Sequence, residues 1–111
     1  MHFPRLVFPY EFDLRIQHES RERGLYGPAV VEMADGRRFS VHFFDHIRLG
    51  QELANARAPR YISEPGMIVL EEVTYENMLS SVRALASCGY FEFLKPLDDE
   101  LFRKTFPLLQ K

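Results

Sequence analysis

The chain has one cysteine, no tryptophan and no long apolar run. The lone Cys88 cannot form an internal disulfide, which favours a reducing compartment. No run approaches the roughly 18 apolar residues of a membrane span. The N-terminal residues also lack the charged head and continuous apolar stretch of a signal peptide, because prolines and Glu11 interrupt them. These absences predict a soluble, cytoplasmic protein with no membrane partner.

An excess of one sign of charge is also missing. The chain has 14 Lys and Arg residues against 16 Asp and Glu residues, for a net charge of −2. Proteins that bind nucleic acids gather basic residues on one face. The basic residues here instead occur in short pairs, such as Arg37 and Arg38, among acidic ones. We therefore expect no nucleic-acid partner.

Recognisable catalytic motifs are absent as well. The sequence has no glycine-rich phosphate-binding motif, no G-x-S-x-G nucleophile turn and no zinc-type spacing of Cys and His. We therefore predict no catalytic residue, no cofactor and no metal ion.

Apolar and aromatic residues, in contrast, are plentiful. Hydrophobic residues make up 46% of the 111 residues, with ten Phe and five Tyr. A chain of this length buries roughly two-thirds of the surface that its unfolded form exposes, which is enough for one stable domain. We predict a single globular domain over residues 1–111, with a core built on Phe.

Apolar and polar residues alternate strictly from residue 10 to residue 17. Tyr10, Phe12, Leu14 and Ile16 are separated by charged or polar residues. A period of two is typical of a strand with one buried and one solvent-facing side. We predict a strand here, followed by a charged loop.

The next apolar segments predict a hairpin with a three-residue loop, Ala34–Gly36. This loop sets Val31 opposite Phe39, so apolar residues pair on one face. It also sets Glu32 opposite Arg38, a favourable charge pair on the other face. A two-residue loop would mix the two faces, so we predict the longer one, with its glycine in the left-handed conformation.

His42 and His46 have the H-x-x-x-H spacing of a pair of metal ligands on a helix. The residues around His42 alternate with a period of two, however, which predicts a strand. If the strand continues to residue 46, the two histidines share a face but lie about 13 Å apart, at ~3.3 Å per residue. One metal ion cannot bridge that distance, and we predict two outward-facing surface histidines.

The second half of the chain predicts helices around a central strand. Asp45 could cap a helix, but Gly50 weakens an early start and favours a short helix over about residues 50–57. An apolar run from Met67 predicts a central strand over residues 67–73, covered on both faces. A helix is predicted over 75–88, with Thr74 as its N-terminal cap and Gly89 at its C-terminal end. A possible strand at 90–94 would follow it, placed beside the central strand by a crossover through this helix. The last predicted element is a helix over 98–106, capped by Asp98 or Asp99.

These elements together predict an α+β fold. We expect a two-layer sandwich with a mostly antiparallel sheet of four or five strands, and with helices largely on one face. The sheet would comprise a meander over residues 8–46 and the central strand over 67–73. Apolar density near the C-terminus predicts docking on the core or contact with another subunit, through Phe102, Phe106, Leu108 and Leu109.

Three candidate reactive groups have ordinary structural explanations. Glu71 and Glu72 end the buried strand, but neighbouring strand residues point to opposite faces, so we do not expect them to act together. Acidic residues before a helix are also favoured by its dipole. Cys88 falls at a helix C-terminus, where partial negative charge disfavours a thiolate, and we expect it to be buried and inert.

The solvent-facing side of the predicted sheet is the candidate binding surface. If the helices cover only the other face, this one is free to receive a partner. We therefore predict a small non-enzymatic protein-interaction module, such as an adaptor, a regulatory protein or an immunity-type partner, that binds another protein or associates with itself. The predicted surface consists of Arg15, Gln17, Arg38, Ser40, His42, Phe44 and His46.

A small enzyme or ligand-binding protein is the alternative. In that interpretation His42, Asp45 and His46 act with Glu71 or Glu72 in a pocket beside residues 45–66. The hypothesis requires these side chains to converge within hydrogen-bond reach. The strand predicted for the two histidines opposes such convergence.

Overall fold

The computed structural model describes residues 3–105, apart from the side chain of residue 105. Within this range a sheet of four strands is accompanied by four α-helices and one 3₁₀-helix. The fold is α+β and the sheet is mostly antiparallel, as predicted. The elements in chain order are β1 (Arg5–Val7), α1 (Leu14–Arg23), β2 (Leu25–Glu32), β3 (Arg38–Asp45), α2 (His46–Ala54), β4 (Met67–Leu70), α3 (Tyr75–Ser87), the 3₁₀-helix (Tyr90–Phe93) and α4 (Asp99–Thr105).

The sheet has the strand order β1-β2-β3-β4. The first three strands form an antiparallel meander, whereas β4 runs parallel to β3. The helix α2 provides the crossover that a parallel pair requires. The crossover therefore lies between β3 and β4, and not through α3 as predicted. The three-residue strand β1 was not predicted from the sequence.

The hairpin between β2 and β3 confirms the predicted loop and register. Val31 lies opposite Phe39, and Glu32 lies opposite Arg38. Gly36 has the positive φ angle, +91°, that the three-residue loop requires. The pattern predicts this correctly because this register pairs Val31 with Phe39 on the core side and Glu32 with Arg38 on the other side.

The core lies between the sheet and the second half of the chain. Phe39, Phe43 and neighbouring apolar residues of β2 and β3 are fully buried on one face of the sheet, which we call the core face. Met78 and Val82 of α3 pack against it together with Phe91 of the 3₁₀-helix. Burial of apolar surface contributes roughly 25 cal/mol per Å² to the free energy of folding, so the packing of α3 and the 3₁₀-helix against the core face is the main source of stability.

The helix α3 agrees closely with its prediction. The Thr74 hydroxyl accepts a hydrogen bond from the Asn77 N–H at 3.2 Å, which caps the N-terminus. Gly89 follows the helix in the left-handed conformation, with φ of +80°. Both signals are local, so they can be recognised from the sequence alone.

The prediction of a strand over residues 10–17 was wrong. The Asp13 carboxylate accepts a hydrogen bond from the Ile16 N–H at 2.9 Å, and this cap begins α1 at Leu14. The charged residues that were predicted as a loop continue the helix. The alternation also does not match burial, since Leu14 is 82% exposed.

The predicted helix over residues 50–57 begins four residues too late. Asp45 caps α2 by accepting a hydrogen bond from the Arg48 N–H at 2.7 Å, so the helix begins at His46. Gly50 is tolerated within the helix. The cap therefore outweighs the low helix propensity of one glycine.

The predicted central strand is an edge strand and is shorter than expected. β4 ends at Leu70, and β3 is its only neighbour in the described sheet. Its Val69 is 49% exposed, so only one face of the strand is covered. An apolar run of four residues indicates a strand, but it does not reveal whether a further strand pairs with it.

The predicted strand at 90–94 is a 3₁₀-helix. Phe91 is buried with its ring centroid 5.4 Å from that of Phe39, while Phe93 is 88% exposed. On a strand these two side chains would share one face. The observed helix lets one aromatic residue fill the core and turns the other to solvent.

The last described helix, α4, is capped by Asp98, whose carboxylate accepts a hydrogen bond from the Leu101 N–H at 2.6 Å. Phe102 of this helix contacts Arg38 of the sheet, with the guanidinium carbon 4.4 Å from the ring centroid. The other predicted docking residues, Phe106, Leu108 and Leu109, lie outside the described residues. None of the helices described here is long and apolar enough to cross a membrane.

Candidate functional site

The face of the sheet opposite the core face is the first candidate site, and we call it the outer face. Strand pairing arranges its side chains in rows across the sheet. One end carries a charged row and the other end carries apolar rows. The rows are Arg5–Glu32–Arg38, Val7–Val30–Ser40, His42–Met67 and Leu25–Phe44–Val69.

Glu32 is the centre of the charged row. Its side chain is 17% exposed and accepts hydrogen bonds from Arg5 and from Arg38, the latter at 3.3 Å. The hydrogen bond from Arg5 is the largest influence that holds the pKa of this carboxyl below its ordinary value of 4.5. Arg38 also stacks on Phe102, so the charged row connects the sheet to α4.

Replacing Glu32 with glutamine is expected to lower the free energy of unfolding by about 1–2 kcal/mol at pH 7, because two arginines lose a charged acceptor. The folded-state pKa is lowered, so this stabilisation is present above about pH 4.5. It is lost as the pH falls through the folded-state pKa. Urea unfolding of the parent protein and of Glu32→Gln, followed by circular dichroism at several pH values from 7 to 3, measures the difference between their free energies of unfolding.

The control for this prediction is Glu11→Gln, which removes an exposed carboxyl from the segment before α1. It should change the free energy of unfolding by less than about 0.5 kcal/mol. A difference between Glu32→Gln and the parent protein that stays constant down to pH 3 would contradict the pairing.

The apolar rows form a patch near β4, which we call the outer patch: Leu25, His42, Phe44, Met67 and Val69. Leu25 and Phe44 are half-buried, and Val69 is half-exposed at the sheet edge. The His42 ring lies against Gly27, where an added Cβ would be 2.6 Å from Nδ1. This part of the outer face is therefore mainly apolar, whereas the sequence predicted a surface of mixed charge on which Phe44 was the one apolar residue.

The structure brings four of the seven predicted surface residues together. Ser40, His42 and Phe44 share the outer face with Arg38, whereas Arg15 and Gln17 belong to α1, because that segment is a helix. Arg15 pairs with Glu19 at 3.4 Å, and the Gln17 amide donates to the Phe12 carbonyl at 3.3 Å. His46 is the first residue of α2. A role for these residues in binding stays a prediction.

Three residues of the outer patch were missed by sequence reasoning. Met67 and Val69 were not predicted because β4 was expected to be covered on both faces, and Leu25 was not predicted because the hairpin was expected to begin after Gly27 and Pro28. The uncharged run at 67–70 is the only signal of this patch, and it equally fits a buried strand.

A cleft between α1, α2 and the end of β4 is the second candidate site. It has a volume of about 500 Å³. Asp45, His46, Glu71 and Glu72 all line it, so part of the alternative hypothesis is realised in the structure. His42 is not among the lining residues.

The two glutamates were expected to point to opposite faces, and they line the same cleft instead. The reason is that β4 ends at Leu70, so the alternation of a strand does not apply to Glu71 and Glu72. Glu72 accepts a hydrogen bond from Arg21 at 3.3 Å. Glu71 is exposed.

Asp45, the acid closest in sequence to His46, has a structural role in the cleft. Its carboxylate caps α2, and a Cβ added at Gly24 would overlap the same carboxylate. The Asp45 N–H also donates to the Gly24 carbonyl at 2.8 Å, which joins the end of α1 to the start of α2. In residues 3–105 no group of three or more His, Cys, Asp and Glu side chains is arranged to hold a metal ion.

Cys88 is exposed, and the prediction that it is buried was wrong. It ends α3 on the side away from the core, and its thiol contacts the Leu85 carbonyl at 3.3 Å. The apolar stripe of α3 passes through Met78 and Val82 and leaves the position of Cys88 facing solvent.

Comparison of the chain with models of protein families, with curated proteins and with solved structures gives no match.

Proposed function

We propose that this protein is a non-enzymatic protein-interaction module that acts in the cytoplasm and receives a protein partner on the outer patch. The observation that supports the proposal is the row Leu25–Phe44–Val69, which aligns three apolar side chains across three strands. The row ends in a half-exposed Val69. The charged row around Glu32 lies at the other end of the same face.

Protein–protein interfaces usually combine an apolar core with a polar rim, and this face has apolar side chains at one end and a charged row at the other. Val69 is 49% exposed and the other residues of the outer patch are partly buried, and apolar surface that a sheet face leaves exposed commonly marks an interaction site. The partner that fits is a protein with an apolar surface flanked by charges of both signs. An adaptor, a regulatory protein or an immunity-type protein would use a surface of this kind.

The 500 Å³ cleft supports a second candidate, a small-ligand-binding protein. Its volume lies in the range of ligand pockets, roughly 300–1,000 Å³, but such pockets are mostly apolar. This cleft is instead lined mainly by charged residues, and Asp45 and Glu72 have partners within the fold. The outer patch therefore carries the proposal.

The test compares Val69→Arg, in the outer patch, with the matched control Leu14→Arg on α1. Both positions are exposed, and both variants introduce the same charge. Each protein is immobilised and incubated with lysate of its source cells, and captured proteins are quantified by mass spectrometry. The strongest captured protein is then purified and titrated against all three forms, with copies of the chain itself counted separately.

We expect Val69→Arg to weaken binding of the captured protein about tenfold or more, because a hot-spot residue contributes about 2 kcal/mol or more. Leu14→Arg should bind like the parent protein, and both variants should keep its melting temperature. Equal binding by Val69→Arg and the parent protein would remove the outer patch as the docking surface.

A further inference from the structure

The free edge of β4 is the least protected edge of the described sheet. β4 has the sequence MIVL, without a charge or a proline, and within residues 3–105 it pairs only with β3. Proteins usually protect edge strands with charged residues, prolines or covering segments, because exposed backbone groups there pair with other strands. Val69, near the middle of this strand, is half-exposed.

The direction of the backbone groups of β4 follows from its pairing with β3. The His42 N–H donates to the Gly66 carbonyl at 2.9 Å, and His42 lies opposite Met67. In a parallel pair, backbone groups of alternate residues point to alternate sides. Ile68 therefore bonds to β3, and the N–H and C=O of Val69 both point to the free edge.

We propose that a second copy of this chain pairs with β4 through an antiparallel β4–β4 contact, with a twofold axis at Val69. This contact goes beyond the proposed function, because it uses the backbone edge of β4 and not the side chains of the outer patch. An extended strand is the protein segment that pairs with the successive N–H and C=O groups of an exposed strand edge. A second β4 offers the same free groups, and a twofold axis lets both copies exchange them. The two sheets then form one continuous sheet of eight strands.

The hydrogen bonds within the chain select the register of this contact. The Met67 N–H already donates to the Glu64 carbonyl at 3.2 Å, so a register that needs this donor is disfavoured. When Val69 lies opposite Val69 of the second copy, the N–H of each donates to the C=O of the other, which forms two hydrogen bonds. Ile68 then lies opposite Leu70 of the second copy, which continues the apolar core face across the contact.

The contact is short, so we expect a weak dimer. Interfaces below about 1,200 Å² are typical of transient complexes. Light scattering and sedimentation equilibrium between about 10 µM and about 1 mM protein are expected to show a dimer fraction that rises with concentration.

Val69→Pro tests the role of the backbone edge. Proline removes the N–H that points to the free edge and leaves the bonds to β3 intact, as is tolerated on edge strands. We expect at least a tenfold weaker dimer, with an unchanged far-ultraviolet circular dichroism spectrum. Val69→Thr keeps both the N–H and the branched side chain and should dimerise like the parent protein. Val69→Lys blocks the edge by charge repulsion and provides the same test if the proline variant does not fold.

Cross-linking tests the register in a Cys88→Ser background, which removes the exposed native thiol. In Val69→Cys the paired Cα atoms would be about 5.5 Å apart, within disulfide range. In Met67→Cys they would be about 13 Å apart along the strands. We expect a disulfide-linked dimer on oxidation of the Val69→Cys protein. The Met67→Cys protein should form little covalent dimer under the same conditions.

A parent protein that stays monomeric up to about 1 mM overturns the inference. So does a dimer that Val69→Pro and Val69→Lys leave unchanged, or equal cross-linking through both cysteines. Each of these results leaves the proposed function standing if another protein still binds the outer patch in the titration. Loss of both self-association and partner binding would overturn the proposed function as well.

Discussion

Replacing Gly66 with alanine is expected to lower the free energy of unfolding by about 3–5 kcal/mol. Gly66 has φ of +78°, a conformation that costs other residues about 1–3 kcal/mol. A Cβ at this position would also overlap the carbonyl oxygen of Ser40. That oxygen belongs to the backbone of β3 and cannot rotate away, so β4 must shift, with a further overpacking cost of about 1–3 kcal/mol.

The matched control is Gly36→Ala in the hairpin loop. Gly36 has φ of +91°, but no atom of the described residues lies within 4 Å of an added Cβ, so only the conformational cost applies. We expect a loss of about 1–2 kcal/mol. Urea unfolding followed by far-ultraviolet circular dichroism measures both variants, since the chain has no tryptophan for fluorescence. Equal losses would show that β4 is not held as closely to β3 as the structure indicates.

Truncating Phe39 to alanine is the second change with a large expected effect. Phe39 is fully buried, and its ring packs against that of Phe91 with the centroids 5.4 Å apart. Loss of a buried Phe ring costs about 3–5 kcal/mol, from lost burial and from the cavity that remains. The free energy of unfolding of natural domains is only about 5–15 kcal/mol, so this loss is a large fraction of it. We therefore expect the Phe39→Ala protein to unfold at a much lower urea concentration than the parent protein.

Phe93→Ala provides the comparison within the same aromatic region. Its side chain is 88% exposed, so we expect a change within about 0.5 kcal/mol. Because the two substitutions remove the same atoms, their difference isolates the contribution of burial. A loss below about 1.5 kcal/mol for Phe39→Ala would show that the core collapses around the cavity or is packed differently.

The elements that sequence reasoning predicted well depend on neighbours along the chain. The hairpin register follows from alternation in both strands and one glycine, and α3 follows from Thr74, its apolar stripe and Gly89. Their signals lie within about fifteen residues of one another, so tertiary contacts reinforce them and do not override them.

Local signals that competed with one another were resolved incorrectly. The period of two in residues 10–17 indicated a strand, but Asp13 supplies a helix cap and the charged residues after it favour a helix. The prediction at α2 was wrong for the same reason, because the cap at Asp45 outweighs the low helix propensity of Gly50. In both segments a side-chain hydrogen bond at the helix N-terminus decided the structure.

The α+β class, the β2–β3 hairpin and the helix α3 can be predicted from the sequence, because they follow from patterns of burial and capping within short segments. Three features become visible only in the folded chain: β4 lies at an edge of the described sheet, Glu71 and Glu72 share a cleft with His46, and Leu25, Phe44 and Val69 form one row. These features depend on which distant strands become neighbours. That choice is made by the packing of the whole chain around Phe39 and Phe91, and no local pattern encodes it.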